Sequence, residues 1–394
     1  MHTYRDNPKW LLRFAPFKTL SVSTAFLAPF FMHNGLNQTE IFALQSIFSL
    51  AVLLWELPSG YIADKIGRAL CIKLSAPVVV VSMIGYGLSD QFWQFVVWEL
   101  GLALANGLIS GADSALLYDS LHKPGQTPAE HQQAAERATK RMNAYGFAAP
   151  VICLPLAMWL AHNVGLGATF IADGLLTGIG LIFVLRLKEA PLVTSAHEEV
   201  VPAPKALRML LGSREVRWLL VLYVSLSTCT YMGAWLATPV YVNMGIPVAL
   251  FAAILAARNL WKAAWSHWFH PKQNMGRYMT LYVALGAFGF AGMASGNWWL
   301  LLLVLGHEIV HALQGPAIMS WLNGHMHSTH RATLNSGVNL LQRLSFTIVG
   351  PLAGMAVDTG GLRLGLLATG GLCTLAAGMA VVRLYRLGTF GKKG

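Results

Sequence analysis

The sequence predicts an all-α membrane protein of twelve transmembrane helices arranged as two pseudo-symmetric six-helix bundles. Three observations carry this. The 394 residues are 55% hydrophobic and only 11% charged, with mean hydropathy +0.52. A soluble domain carries about 25% charged residues, so this chain cannot clothe a water-facing surface. The apolar runs are long, and at about 20 residues per crossing they fill about a dozen spans. The Lys and Arg residues fall in alternate connecting segments.

The spans follow from apolar runs broken by polar, Gly or Pro residues. They read, as spans 1 to 12, near 10–32, 39–60, 70–88, 92–118, 140–161, 165–186, 217–242, 247–268, 278–295, 297–322, 334–357 and 364–386. The first run follows Arg5, Lys9 and Arg13 and is long enough to cross, so it reads as span 1 rather than a cleaved leader. With the N-terminus inside, the inner segments hold Lys65, Arg68, Lys73, Arg137, Lys140, Arg141, Lys188, Arg214, Lys272, Arg277, Arg331 and Arg386, among others. The outer loops, near 33–38, 89–91, 162–164, 243–246, 296 and 358–363, hold only Arg363. That asymmetry is the positive-inside pattern, with both termini cytoplasmic. It accounts for the net charge of +11 without nucleic acid. Cys71, Cys153, Cys229 and Cys373 lie in or beside spans, far apart, and read as small packing residues.

Two polar stretches interrupt the pattern, 119–139 and 187–216. The second is read as a cytoplasmic linker between bundles 1–186 and 217–394, and "PKALRMLLG" within it as a short amphipathic helix. The halves echo weakly: Arg137–Thr139 and Arg331–Thr333 are both "RAT", each just before an odd-numbered span.

Between spans 2 and 3 stands "WELPSGYIADKIGRAL". Pro58 and Gly60 suit a tight exit from span 2. Asp64 suits a cap on span 3 or a pair with Arg68, Lys65 adds inner charge, and Gly67 allows close approach of a neighbouring helix. The pattern G-Y-x-A-D-K-x-G-R at this place resembles the cytoplasmic loop signature of the major facilitator superfamily. The resemblance implies secondary transport by alternating access, with spans 1, 4, 7 and 10 lining a central cavity. It implies a conformational latch of Asp64 and Arg68 with an acid near the end of span 4, either Asp113 or Asp119. The matching loop of the second half keeps Gly276 and Arg277 but has no acid. "ELPSGYIADKIGR" with "GADSALLYDSL" is similar to bacterial facilitators described as efflux-like or of unknown substrate. Span 5, "NAYGFAAPVICLPLA", lacks the doubled glycines of the superfamily's antiporter signature; "GPLAG" stands instead in span 11.

Ionisable residues inside spans are costly, so each is a candidate site. Span 10 carries His307, Glu308 and His311 near its middle, a spacing shared with zinc proteases. The third ligand fails: Gln314 and Ala317 stand where the longer zinc motif needs Gly and His, and Asp358 is the only later acid. These groups are instead expected to couple protons or contact solute. Glu99, Asn106 and Asp113 mark span 4, Asn106 and Asp113 sharing a face; Glu56 ends span 2. Arg258, in span 8, is expected to pair with a buried acid or take an anionic solute. Asn335, Asn339 and Gln342 form a stripe on span 11 before Arg343. Phe26, Phe30, Tyr231 and Trp235 would suit an amphipathic solute. His325, His327 and His330 cluster in the loop after span 10.

The expected function is proton-coupled export of a small amphipathic organic compound, with import of a nutrient or metal chelate as the alternative and intramembrane proteolysis as a remote one. The expected setting is the inner membrane of a bacterium, as a monomer, with no enzymatic activity, no cofactor and no metal.

Overall fold

The structure, a computed structural model, describes residues 3–123, 125–191, 212–269, 274–324 and 331–390. The described chain is helical, and ten of its helical stretches are long and apolar enough to cross a membrane. The last of these, Gly337–Arg386, is two spans in one run, broken where Gly361 turns to φ 79. The first span adds itself to the set in two pieces, Asn7–Thr19 and Leu27–His33. Among the described residues twelve crossings result. Large apolar side chains face outward, among them Leu54, Ile152 and Trp299 at 73%, 76% and 81% exposure. Water would penalise such a surface, and lipid does not.

The chain forms two compact units. One comprises Met1–Gly35, Ile47–Ala196 and Val248–Ala253; the other comprises Leu36–Ser46, His197–Pro247 and Ile254–Gly394.

The first unit packs Trp10, Leu11, Phe14, Ile72, Leu116, Leu117, Val184 and Leu187 into one core. An aromatic cluster of Phe30, Phe31, Tyr86, Phe95 and Phe170 sits further along the bundle. Phe26 and Phe30 are buried, so they serve packing in this unit and present no ring to a solute. Leu187 and Ala190 are also buried, so the segment expected to begin the linker belongs to the core. Residues 192–211, including the expected amphipathic helix, lie outside the described residues.

The expected break after span 2 moves. Gln38–Ile66 is one helix through Pro58 and Gly60, and Arg68–Gly87 follows after Gly67 alone. Gly67 adopts φ 98, which a side chain would resist. The polar stretch 119–139 is shorter as a loop than expected. Thr127 caps a helix beginning at Pro128, with Glu130 closing a capping box, so 128–152 is helical throughout. That signal was present in "TPAE" but was masked by its polarity.

The second unit packs Leu219, Leu220, Leu222, Tyr282, Val310, Leu313, Ile318, Leu322 and Leu384. Small residues let its helices close up, as membrane packing requires. Gly354 lies against the backbone of Gln38 and Thr39, and Gly233 and Gly289 both lie against the ring of His307. The four cysteines are buried and free.

Candidate functional site

Span 10 runs as Trp298–Leu322, its central helix being Leu305–Gly324. Glu308 lies ten residues in, about 15 Å along a helix and so about halfway across the hydrocarbon. Span 8 runs as Val248–Trp268, and Arg258 lies equally deep. The two meet. The Arg258 guanidinium donates from Nε to Glu308 Oε1 at 2.7 Å and also pairs through Nη2. Lys262, one turn further along span 8, holds Glu308 Oε2 at 3.4 Å. Arg258 also bonds the hydroxyl of Tyr241, on span 7. Trp261 donates its indole N–H to Leu305 O at 3.3 Å. Beyond Phe251 and Ala252, Arg258 is the one buried residue of Phe251–Trp268. Span 8 is therefore tied to span 10 chiefly by charge.

The three motif side chains of span 10 diverge. Glu308 faces span 8. His307 is buried between Gly233 and Gly289, its Nε2 2.9 Å from Gly286 O and its Nδ1 without a partner. His311 reaches Thr230 Oγ1 at 3.4 Å and meets the ring of Tyr231 edge-on at 5.5 Å. Among the described residues no three His, Cys, Asp or Glu side chains converge as a metal cage would. Helical spacing puts the two histidines one turn apart as expected, but His307 is enclosed by its glycine seat whereas His311 turns toward Thr230 and Tyr231.

Other expected groups separate in the same way. Tyr231 is 44% exposed, whereas Trp235 packs on Phe42. Asn339 is exposed; Gln342 is turned to span 7, donating to Ser227 Oγ at 2.8 Å beside Gln314. The side chain of Asn335 and residues His325, His327 and His330 lie outside the described residues. Arg343 is half-buried, with no carboxylate within 4 Å among the described residues.

In the first unit, Glu99 is buried and accepts from Tyr86 Oη at 2.9 Å, an interhelical bond between spans 3 and 4. Asn106 and Asp113 do not share a face. The helix breaks at Ser110 and Gly111, leaving Asn106 exposed and Asp113 buried against Lys18 Nζ at 2.5 Å. Of the two acids expected for the latch, Asp119 is the one that pairs with Arg68. Lys65 stays exposed, its ammonium 4.6 Å from the Tyr61 ring centre. The side chains of Glu56 and Asp64, and the surroundings of Gly60, lie outside what is described. The cap on span 3 comes from elsewhere: Glu189 accepts from Arg68 N at 2.9 Å and Ala69 N at 2.8 Å.

That last arrangement recurs, and sequence reading missed it. Asp173, buried in span 6, accepts from Val22 N at 2.7 Å, Ser23 N at 2.9 Å and Ser23 Oγ at 2.5 Å. It thereby satisfies the backbone that the break in span 1 exposes. Asp358 caps the start of span 2 through Gln38 N at 3.0 Å and Thr39 N at 2.8 Å. Each carboxylate meets a helix start more than a hundred residues away. Only Asp173 carried a signal, as an acid in an apolar run.

A family model described as Major Facilitator Superfamily matches residues 10–275. The chain belongs to the major facilitator superfamily. Among curated proteins, inner membrane transport protein YajR of Escherichia coli (strain K12) is 24% identical over 193 residues, 45% of this chain and 39% of that protein. The match thus spans about two fifths of that relative. Among solved structures, a nucleoside transporter NupG aligns with TM-score 0.75 at 14% identity, covering 96% of this chain and 99% of that one. A bacterial homologue of the human lysosomal transporter Spinster aligns at 0.72 and 16%, covering 97% of each. The POT family transporter PepTSo aligns at 0.67 and 14%, covering 98% of each. At such identities these likenesses establish the facilitator fold. Membership in this family points to a transporter and not to an enzyme, and the protease alternative has no support.

Proposed function

We propose that this facilitator works by alternating access and takes up a small amphipathic organic anion together with protons, Glu308 being the coupling carboxylate. The observation that carries this is the Glu308 cluster. Two cations, Arg258 and Lys262, share one buried carboxylate at mid-depth. The trio carries one net positive charge, and a proton on Glu308 would raise it to two and release both cations. An uncompensated charge at that depth costs roughly 2.5–3.5 kcal/mol on insertion scales. A solute bringing a negative group would relieve it. Proton and anion then favour each other's binding by the same factor. Ligands that bind together cross together. This supports import of a carboxylate-bearing nutrient or metal chelate over the export expected from the sequence. A cationic solute finds Glu308 already claimed.

Export of an amphipathic compound is the second reading. The exposed ring of Tyr231, set against His311, supports it by offering an aromatic surface. The remaining parts of the proposal are a bacterial cytoplasmic membrane, termini inside, and one chain that needs no cofactor beyond the proton gradient. Positive-inside charge supports the orientation.

The test is flux into proteoliposomes under an imposed pH gradient. Glu308→Gln is expected to retain anion exchange between the two sides but lose gradient-driven accumulation. Accumulation at the wild-type rate in that variant would remove Glu308 from the coupling.

A further inference from the structure

At the inner ends of spans 7 and 12, far along the helices from Glu308, four arginines surround one groove. Arg214 and Arg217 come from the first turns of Arg214–Asn243; Arg383 and Arg386 come from the last turn of the run ending at Arg386. With Trp218, Val221 and Leu387 they line a cavity of about 470 Å³. All four arginines are exposed, and none has a carboxylate within 4 Å among the described residues. The nearest acid in sequence, Glu215, pairs with none of them. The Arg383 guanidinium lies 5.8 Å from the Trp218 ring centre, which fixes its height in the groove.

Four like charges around one hollow repel one another. Two of them also stand at the positive end of a helix dipole, and the capping Ser213 accepts no side-chain hydrogen bond there. The C-terminal end of span 12 favours Arg383 and Arg386, but among the described residues no carboxylate answers Arg214 and Arg217, and an anion would. The groove has a second property. Its wall of Trp218, Val221 and Leu387 is apolar, and exposed Val221 and Met379, one turn deeper along spans 7 and 12 than Arg217 and Arg383, continue that surface toward the hydrocarbon. A soluble anion has no use for such a wall. A ligand with an anionic head and acyl chains uses both. Arginine suits the head, since its planar fork matches phosphate oxygens in pairs. Positive-inside charge places this level in the cytoplasmic headgroup layer, where acidic lipids supply such phosphates.

We infer that this groove is a binding site for the phosphate headgroup of an acidic phospholipid. Arg217 and Arg383 hold the phosphate, Arg214 and Arg386 flank it, and the acyl chains lie along Val221 and Met379. The site is independent of the transported solute. It ties the first helix of the second bundle to the last, so lipid composition would bias the stability of that bundle.

The test uses the full-length protein, delipidated in detergent. Thermal unfolding and native mass spectrometry are read with phosphatidylglycerol or cardiolipin, with phosphatidylcholine, and with inorganic phosphate. The acidic lipids are expected to raise the unfolding temperature and remain bound through mild activation, and phosphatidylcholine to do neither. Arg217→Gln with Arg383→Gln should weaken acidic-lipid binding by about tenfold or more. Arg217→Lys with Arg383→Lys should lose less, and Arg137→Gln with Arg141→Gln, exposed inner charges elsewhere, should lose nothing. All these side chains are exposed, so an unchanged unfolding temperature without lipid checks that the variants fold. Equal binding of phosphatidylcholine, an equal loss in the control pair, or no loss in the groove pair would overturn the site. Inorganic phosphate matching the acidic lipids would overturn the lipid in favour of a soluble anion.

Discussion

The Arg258–Glu308–Lys262 cluster makes an asymmetric prediction about stability. Replacing Arg258 by Gln leaves Glu308 with Lys262, a pair still balanced in charge. Replacing Glu308 by Gln leaves two cations facing a neutral amide. Coulomb's law at 3.4 Å with an effective dielectric of about 20 gives about 5 kcal/mol for the surviving Lys262–Glu308 attraction, before desolvation is subtracted. Breaking a buried pair by removing one partner costs about 3–5 kcal/mol. Glu308→Gln should therefore lie in that range. Arg258→Gln should cost only about 1–2 kcal/mol, because Lys262 keeps half the interaction and solvent reaches its partly exposed ammonium. Adding Lys262→Gln to Glu308→Gln removes one of the stranded cations, so the double variant should be more stable than Glu308→Gln alone. The assay is equilibrium unfolding of the purified variants in one detergent or bicelle, read as a double-mutant cycle. Equal losses in Arg258→Gln and Glu308→Gln would refute the shared-carboxylate reasoning. So would a double variant that is worse than Glu308→Gln.

Three further outcomes follow from the packing. Asp173→Ala strips three hydrogen bonds from the break in span 1 and should cost about 3 kcal/mol or more, with Asp173→Asn between it and wild type; unfolding measurements that find the Ala variant neutral would show that water replaces the clasp. Gly233→Ala drives a methyl into the ring of His307 and should destabilise by about 1–3 kcal/mol, whereas Gly371→Ala meets open space and should be neutral or stabilising; equal melting temperatures for the two would contradict the seat described for His307. Glu189→Gln weakens the cap on span 3 and should cost about 1 kcal/mol, seen as faster hydrogen exchange at Arg68–Ile72; unchanged exchange there would remove Glu189 from that role.

Residue chemistry alone settled much of the architecture. The apolar runs located the crossings, because a span must be apolar along its own length whatever its neighbours are. The charge asymmetry gives an inner and an outer set of loops to expect, because the positive-inside bias acts on short segments near the spans. The loop "GYIADKIGR" resembled one family, and span 10 displayed an acid where lipid would forbid one. The pairing of those groups was not legible in the same way. Arg258 and Glu308 are fifty residues apart, Arg68 and Asp119 fifty-one, and Asp173 and Ser23 one hundred and fifty. Periodicity says which face of its own helix a residue takes, but not which helix comes to meet it. Even that fails across a break: Asn106 and Asp113 parted at Gly111. The one local cap the sequence offered was Asp64, for span 3. Helix packing delivers Asp173 to the break in span 1, Glu189 to the start of span 3, and Asp358 to the start of span 2, where Asn37 and Glu40 also form a local capping box. Local hydrophobicity thus determined where the chain crosses, and tertiary packing decided which buried charges neutralise one another. A buried charge needs a partner within a few ångströms, and only the folded bundle sets that distance.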